Sequence, residues 1–206
     1  MFHEYMDRLV EEVTTKEFSE EVIKAKNEYF SKIGVIFEDD KSFENRMISF
    51  IEWYCFDRIS EKHQKSPLEH FIDTNTPTWS NEELDIYTGF LNNIHSIFYI
   101  KKLKKGETII KDICNSNKFS ISQNQPNLFF QKGDVFEARL IPFKEEYFFS
   151  GSFCFHPTQL YRKIKKELKK RSSNQAEKLE FLFILSSMSL KLERSRQINY
   201  KDIYAF

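Results

Sequence analysis

Hydrophobic positions in the first 94 residues recur every three or four residues, which is the spacing of an amphipathic α-helix. This spacing predicts five helices, over residues 2–13, 19–34, 42–57, 66–72 and 80–94. Ser66 and Ser80 each stand three residues before a glutamate, which is the arrangement of a capping box at the start of a helix. The third helix is apolar on most of its sides, so we expect it to be central.

After residue 94 the pattern changes to an alternation with a period of two, which is typical of β-strands. It predicts strands over residues 96–102, 108–114, 118–123, 135–143 and 147–156, with a polar loop through Asn127 after the third. Five short strands in succession indicate a small antiparallel barrel or a curved sheet, of SH3-like or OB-like topology. In the fifth strand the alternation assigns five residues to the core face: Tyr147, Phe149, Gly151, Phe153 and Phe155.

The chain closes with two predicted helices and an aromatic tail. The first helix follows Pro157 and carries a narrow apolar stripe, Leu160, Ile164 and Leu168, among basic residues. The second covers residues 175–196, and we expect the tail at residues 198–206 to pack on the fold. The predicted fold class is α+β. Its parts are an acidic helical region (1–94), a small antiparallel β domain (95–157) and a basic helical region (158–206), packed as one unit.

Composition places the chain among globular proteins, since 40% of its 206 residues are hydrophobic and 30% are charged. The formal net charge of zero conceals a division along the chain. Residues 1–94 hold 10 Lys and Arg against 20 Asp and Glu, a net charge of −10, whereas residues 95–206 hold 21 against 11, a net charge of +10. Either the two halves complement each other within one fold, or the basic half meets an anionic partner.

Cysteine usage and the amino-terminal residues both predict a cytoplasmic location. Cys55, Cys114 and Cys154 are odd in number, far apart and surrounded by apolar residues, as is typical of reduced thiols. The first residues are charged and lack the apolar segment of a signal peptide. The most apolar later run is too short to cross a bilayer, so no membrane association is expected.

One group of residues is a candidate for chemistry. Alternation places Cys154 and His156 on one face of the fifth strand, and Glu137 and Arg139 on one face of the fourth. If the register brings the two faces together, a pocket with a thiol, an imidazole, a carboxylate and a guanidinium results. Neither a second Cys-x-x-Cys nor a His-x-x-x-His supplies further metal ligands. No metal, no cofactor and no catalytic residue is therefore predicted, and an enzyme is not favoured.

Basic residues give a second candidate, a nucleic-acid interface. They crowd the predicted turn between the first two strands and the helix after Pro157. A small barrel beside a cationic helix can follow a phosphate backbone, with affinity that depends on salt and little on sequence. The alternative is a solvated lysine-rich face, or a helix that faces the acidic half. The candidate residues are Lys101, Lys102, Lys104, Lys105, Arg162, Lys163, Lys165, Lys166, Lys169, Lys170 and Arg171.

Three sequence blocks carry a resemblance to a family: EWYCFDR at residues 52–58, GDVFEARL at 133–140 and FCFHP at 153–157. Together with SPLEHF and the closing KDIYAF, they resemble an uncharacterised family of soluble bacterial proteins over residues 47–206. The resemblance implies an organisation and no activity. The favoured function is a non-enzymatic binding or scaffold module with an unknown protein partner. The alternative is binding of the RNA or DNA backbone, and an enzyme or metal protein is less favoured.

Overall fold

In the computed structural model, which describes residues 1–122, 130–171, 173–195 and 197–206, a curled antiparallel sheet is flanked by helices. The helices of the described residues are α1 (Phe2–Val13), α2 (Ser19–Ile33), α3 (Phe43–Phe56), α4 (Pro67–Asn75), α5 (Asn81–Phe90), α6 (Tyr161–Lys170), α7 (Gln175–Arg194) and α8 (Tyr200–Ile203). The strands are β1 (Ile94–Lys104), β2 (Glu107–Asp112), β3 (Lys118–Ser122), β4 (Val135–Phe143), β5 (Glu146–Phe149) and β6 (Cys154–His156). The predicted α+β class, with helices before and after the sheet, is confirmed.

The strand order of the sheet is β3-β2-β1-β4-β5, and β6 also pairs with β4. Strand β4 therefore contacts three other strands. One edge of β4 pairs with β1, and the other pairs with β5 and, nearer its start, with β6. The β4–β6 register places Glu137 opposite Cys154 and Val135 opposite His156. The sheet curls far enough for the rings of Phe119 in β3 and Tyr147 in β5 to lie 5.0 Å apart. The five-stranded path is therefore a half-barrel.

Three apolar clusters hold these elements together. Aromatic and aliphatic side chains fill the concave face of the sheet, with Phe98 and Phe136 at the centre. The predicted stripe of α6 packs with α7 and α8 against the other face, where Ile97 and Val135 lie. The first five helices form the largest cluster around α3, which is central as predicted. Helices thus cover part of this second face, and polar groups that lie beneath them are shielded from water.

Local sequence signals explain where α4 and α5 begin. Both capping boxes form. The side chains of Ser66 and Ser80 each accept a hydrogen bond from the backbone amide of the glutamate three residues later, and the side chain of that glutamate accepts one from the backbone amide of the serine. Helix α5 ends at Phe90, earlier than predicted, and Ile94 already belongs to β1. The predicted strand end at residue 123, the polar loop that follows it and the predicted helix end at residue 196 lie outside the described residues. Over the part of the chain that is described, no helix is both long and apolar enough to cross a membrane.

The prediction of one continuous strand over residues 147–156 is wrong. The backbone leaves the strand conformation at Gly151, whose φ is +137°, and β5 and β6 are separate strands. Ser152, between the two strands, is buried, and its amide and hydroxyl donate to Glu52 of α3 at 2.9 and 2.6 Å. Phe155, predicted to be core, is 48% exposed at the rim of the concave face. Contacts with α3 have overridden the alternation.

The aromatic tail packs on the fold, as predicted. Helix α8 leads into Tyr204, whose side chain is completely buried in the cluster under α6 and α7. Its hydroxyl lies 3.0 Å from Nδ1 of His156, so the end of the chain reaches the helix-covered face of the sheet.

Candidate functional site

Buried and half-buried polar side chains gather where β4 and β6 meet α3 and α7. They belong to five elements or their ends, and many come from the three sequence blocks described above. We call this group the buried polar cluster, and its members are Glu52, Asp57, His95, Glu137, Arg139, Ser152, Cys154, His156 and Ser186. A cavity of about 10 Å³ lies inside it, lined among others by Glu52, His95, Glu137 and Cys154. That volume is about enough for one water molecule.

Arg139 and Asp57 form the ion pair at one side of the buried polar cluster. The guanidinium of Arg139 is bound by both carboxylate oxygens of Asp57 and by the side-chain oxygen of Asn93. It also lies over the ring of Phe56, 4.8 Å from the ring centre. Burial alone would raise the pKa of Asp57, but the charge of Arg139 and the contact with His95 hold it at about 2. Asp57 is therefore ionised at neutral pH.

His95 connects this ion pair to Glu137. Its Nε2 lies 2.8 Å from Oε1 of Glu137, and its Nδ1 lies 3.5 Å from Oδ2 of Asp57. Burial and the Arg139 charge disfavour the protonated ring, but the two carboxylates outweigh them and raise the pKa of His95 above its ordinary value. Burial likewise opposes ionisation of Glu137, but the bond from His95 lowers its pKa. The two groups stabilise each other's charged forms.

Cys154 and His156 complete the other side of the buried polar cluster. Burial and the negative charge of Glu137 raise the pKa of the Cys154 thiol to about 11. Burial lowers the pKa of His156 to about 4, and the Glu137 charge only partly compensates. At neutral pH the thiol is protonated and the imidazole is neutral. A thiolate nucleophile needs a depressed pKa, so this arrangement is not that of a Cys–His catalytic pair.

The structure brings all four predicted residues of this group together: Glu137, Arg139, Cys154 and His156. The sequence analysis required a register that brings the face of Glu137 and Arg139 beside that of Cys154 and His156. The pairing of Glu137 with Cys154 meets this condition for Glu137. Sequence reasoning missed Asp57, His95 and Tyr204. Asp57 stands in the EWYCFDR block and Tyr204 in KDIYAF, so these blocks were the sequence feature that marked the two residues.

The predicted basic residues of α6 face solvent, because the helix buries Ile164 and Leu168 against the sheet. Their ion pairs within the described residues are made with Glu167 of the same helix, by Lys170 and Arg171. Lys163 donates to the backbone oxygen of Tyr204 at 2.7 Å. The acidic amino-terminal half therefore supplies no described ion-pair partner to α6. Arg162, Lys166 and Lys169 are exposed along one stripe of the helix, with a spacing of three to four residues.

Lysines of the sheet continue this stripe. Lys111 of β2 lies opposite Lys118 of β3, and Lys101 is close enough that the ammonium of Lys118, and more weakly that of Lys111, lowers the pKa of Lys101. Tyr99, opposite Lys111, contacts Tyr161 of α6 with ring centres 4.8 Å apart. Lys165 lies over the Tyr161 ring. We call the joined area the basic surface, and its cations are Lys101, Lys111, Lys118, Arg162, Lys165, Lys166 and Lys169.

The lysines predicted at the β1–β2 turn do not all lie on the basic surface. Lys101 belongs to the basic surface, whereas Lys104 forms an ion pair with Glu107 at 2.7 Å and Lys102 lies in the field of the same carboxylate. Lys105 is exposed in the turn itself. Sequence reasoning missed Lys111 and Lys118. The hairpin pairing of β1, β2 and β3, once the turns are known, is the signal that would have found them.

Comparison with known proteins gives one family. A family model described as a family of unknown function (DUF7986) matches residues 4–188. It includes residues 4–40, which lie outside the resemblance described above. No curated protein and no solved structure gives a significant match to the chain.

Proposed function

Because the chain belongs to DUF7986, a family of unknown function, we propose its function from its own surface: it is a binding module for the phosphate backbone of nucleic acid. The observation that carries this proposal is the crowding of like charges on the basic surface. Lys101, Lys111 and Lys118 are neighbours on three adjacent strands. Like charges placed opposite each other in a sheet are destabilising, and an anionic ligand relieves that repulsion.

The shape of the basic surface supports a polyanion over a small anion. Its cations extend from the outer strand β3, across the sheet, to the exposed side of α6. A chain of phosphates can contact such a line at several points, whereas a single phosphate contacts only one of them. The half-buried rings of Tyr99 and Tyr161 lie between the two groups of cations and offer aromatic surface to bases. Contacts to phosphates carry no sequence information directly, so the expected binding is independent of sequence.

The experiment is binding of fluorescently labelled single-stranded RNA and duplex DNA of random sequence, measured by anisotropy at low salt. The test variant is Arg162→Glu with Lys166→Glu, and we expect it to weaken binding at least tenfold. The matched control is Lys16→Glu with Lys26→Glu, which changes the net charge equally on exposed residues of the acidic half. The control should bind almost as the wild type does. Equal losses in both variants, or no binding at low salt, would refute the proposal.

If the chain is instead a scaffold module, as the sequence analysis favoured, a protein partner binds the same surface. An acidic protein would also be repelled by the charge-reversed variant. It would be recovered from nuclease-treated lysate, whereas a nucleic-acid-dependent association would be lost after that treatment. Recovery of one protein, undiminished by nuclease and absent with Arg162→Glu and Lys166→Glu, would replace nucleic acid by that protein.

A further inference from the structure

We propose that Glu137, Cys154 and His156 form a binding site for a zinc ion, independent of the basic surface. The three residues come from the paired strands β4 and β6. One donor atom from each lies within 4.8 Å of the others. Donor atoms on one tetrahedral zinc are about 3.5 Å apart, given bond lengths of about 2.0–2.3 Å. Side-chain movements of about 1 Å would close the site around an ion.

His156 provides the observation that points to a ligand. The residue is 4% exposed, and its Nδ1 lies 3.0 Å from the hydroxyl of Tyr204. Its other nitrogen, Nε2, is buried and has no hydrogen-bond partner among the described residues. Buried polar atoms are nearly always satisfied, so an unpartnered one needs an explanation. A metal-bound histidine typically has one nitrogen on the metal and the other in a hydrogen bond that orients the ring. His156 has that arrangement.

Glu137 is held in a fixed orientation in the same way. Its Oε1 lies 2.8 Å from Nε2 of His95, and its Oε2 accepts from the Ser186 hydroxyl at 3.0 Å. Each carboxylate oxygen has two lone pairs, so both bonds leave acceptor capacity for an ion. Ligating carboxylates are themselves commonly hydrogen-bonded in this manner. The contacts of His95 and Ser186 thus resemble the outer layer of a metal site.

The donor set is chemically suited to zinc. A thiolate, an imidazole and a carboxylate are all zinc ligands, and three protein ligands leave one coordination position for water. The cavity of about 10 Å³ beside Glu137 and Cys154 has room for that water. On binding, the Cys154 thiol gives its proton to solvent and the sulfur electron pair forms the bond to zinc. The charges of one thiolate and one carboxylate then balance the divalent ion.

The sequence-based prediction of no metal relied on missing ligand motifs. Glu137 lies 17 positions before Cys154 and reaches it through strand pairing, so no spacing motif reveals the set. The three residues form the one group of this kind found in the described part of the chain.

The test uses the full-length protein, stripped with a chelator and titrated with Co²⁺ as a spectroscopic substitute for zinc. We expect about one ion per chain and a thiolate-to-cobalt charge-transfer band in the near ultraviolet, which zinc abolishes by displacing the cobalt. The Cys154→Ser variant should lose the band. The matched control, Cys114→Ser, changes another buried thiol outside the site and should keep it. A band retained by Cys154→Ser, or binding far below stoichiometry, would overturn the proposal.

Two further measurements test the site even if the Cys154→Ser variant fails to fold. The X-ray absorption spectrum of the zinc-loaded wild type should show one sulfur neighbour, and a shell of oxygen and nitrogen alone would refute the site. The Tyr204→Phe variant keeps the ring but removes the bond to Nδ1 of His156. We expect about 10- to 100-fold weaker cobalt affinity with an unchanged band position. Unaltered affinity would contradict the assignment of Nε2 of His156 as the ligating atom.

Discussion

Arg139 is the residue whose surroundings most clearly distinguish the buried polar cluster from an ordinary core. Its side chain is 1% exposed, yet it carries a permanent charge. Asp57 neutralises that charge, Asn93 accepts a further bond, and the Phe56 ring covers the guanidinium. Removing a partner from a buried ion pair leaves a charge that water cannot reach, and this is more damaging than removing the pair.

Replacement of Asp57 by Asn is therefore expected to destabilise the protein by about 3–5 kcal/mol. The measurement is the free energy of unfolding from urea denaturation at neutral pH. The control is Glu61→Gln, which breaks the exposed pair between Glu61 and Lys24. It should leave the unfolding midpoint unchanged, because exposed pairs contribute little. A loss below about 1 kcal/mol for Asp57→Asn would contradict the described role of the pair.

The same ion pair predicts a pH dependence. The pKa of Asp57 is about 2 in the folded protein and about 3.9 in an unfolded chain. Since the folded value is the lower one, the stabilisation is fully present above about pH 5 and is lost as the pH falls towards 2. Arg139 and His95, the charged groups that face Asp57, are both cationic over this range. The stability difference between wild type and Asp57→Asn should therefore shrink below about pH 4. A difference that stays constant down to pH 2.5 would argue against it.

The sequence could predict individual members of the buried polar cluster but not their partners. Alternation placed Glu137 and Arg139 on one strand face and Cys154 and His156 on another, and the structure joins the two faces. The contacts of Asp57 and His95 with these residues could not be predicted, because each comes from the end or start of an element whose packing is set by tertiary contacts. Tyr204 lies 48 positions from His156, and no local pattern reports such a contact.

At the scale of elements, the break between β5 and β6 decides how the sheet meets α3. Continuous alternation would have placed Ser152 in one straight strand, on the same face as Cys154 and His156. Gly151 instead adopts a positive φ of +137°, which L side chains rarely adopt, and the chain turns so that Ser152 bonds Glu52. A glycine inside an apparent strand is a signal for such a break. Helix and strand types were predictable from periodicity, whereas this junction depends on a carboxylate 100 positions away.

Replacement of Gly151 by Ala tests this junction. An added Cβ would lie 3.7 Å from Ile48, an ordinary contact, so space is not the obstacle. The backbone conformation is the obstacle, and we expect a destabilisation of more than about 1 kcal/mol. Thermal unfolding measures it. The control is Gly89→Ala in α5, where φ is not positive and alanine is the better helix former. If both variants were equally stable, Gly151 would not be a conformational requirement.

At the scale of the whole molecule, the two oppositely charged halves are only partly matched to each other. Three described ion pairs join an acid of the first half to a lysine or arginine of the second: Asp40 with Arg194, Glu82 with Lys144 and Asp57 with Arg139. The pair of Lys32 with Glu180 runs in the opposite sense. Part of the charge of the two halves is thus neutralised within the fold, as expected if the halves complement each other. Among the described residues, no ion pair joins the acidic half to the α6 cations Arg162, Lys165 and Lys166 or to the strand cations Lys101, Lys111 and Lys118. The opposite charges are consequently separated on the surface, and the basic surface is available to a polyanion.

Salt dependence of binding tests this central claim most directly. Affinity for single-stranded nucleic acid should fall linearly on a log–log plot against salt concentration. If all seven cations of the basic surface meet phosphates, the slope approaches about −5. The variants Lys101→Gln and Lys166→Gln, one from the sheet and one from α6, should each reduce the magnitude of that slope by about one. A slope near zero, or a slope that neither variant alters, would contradict a backbone-binding surface that spans the sheet and α6.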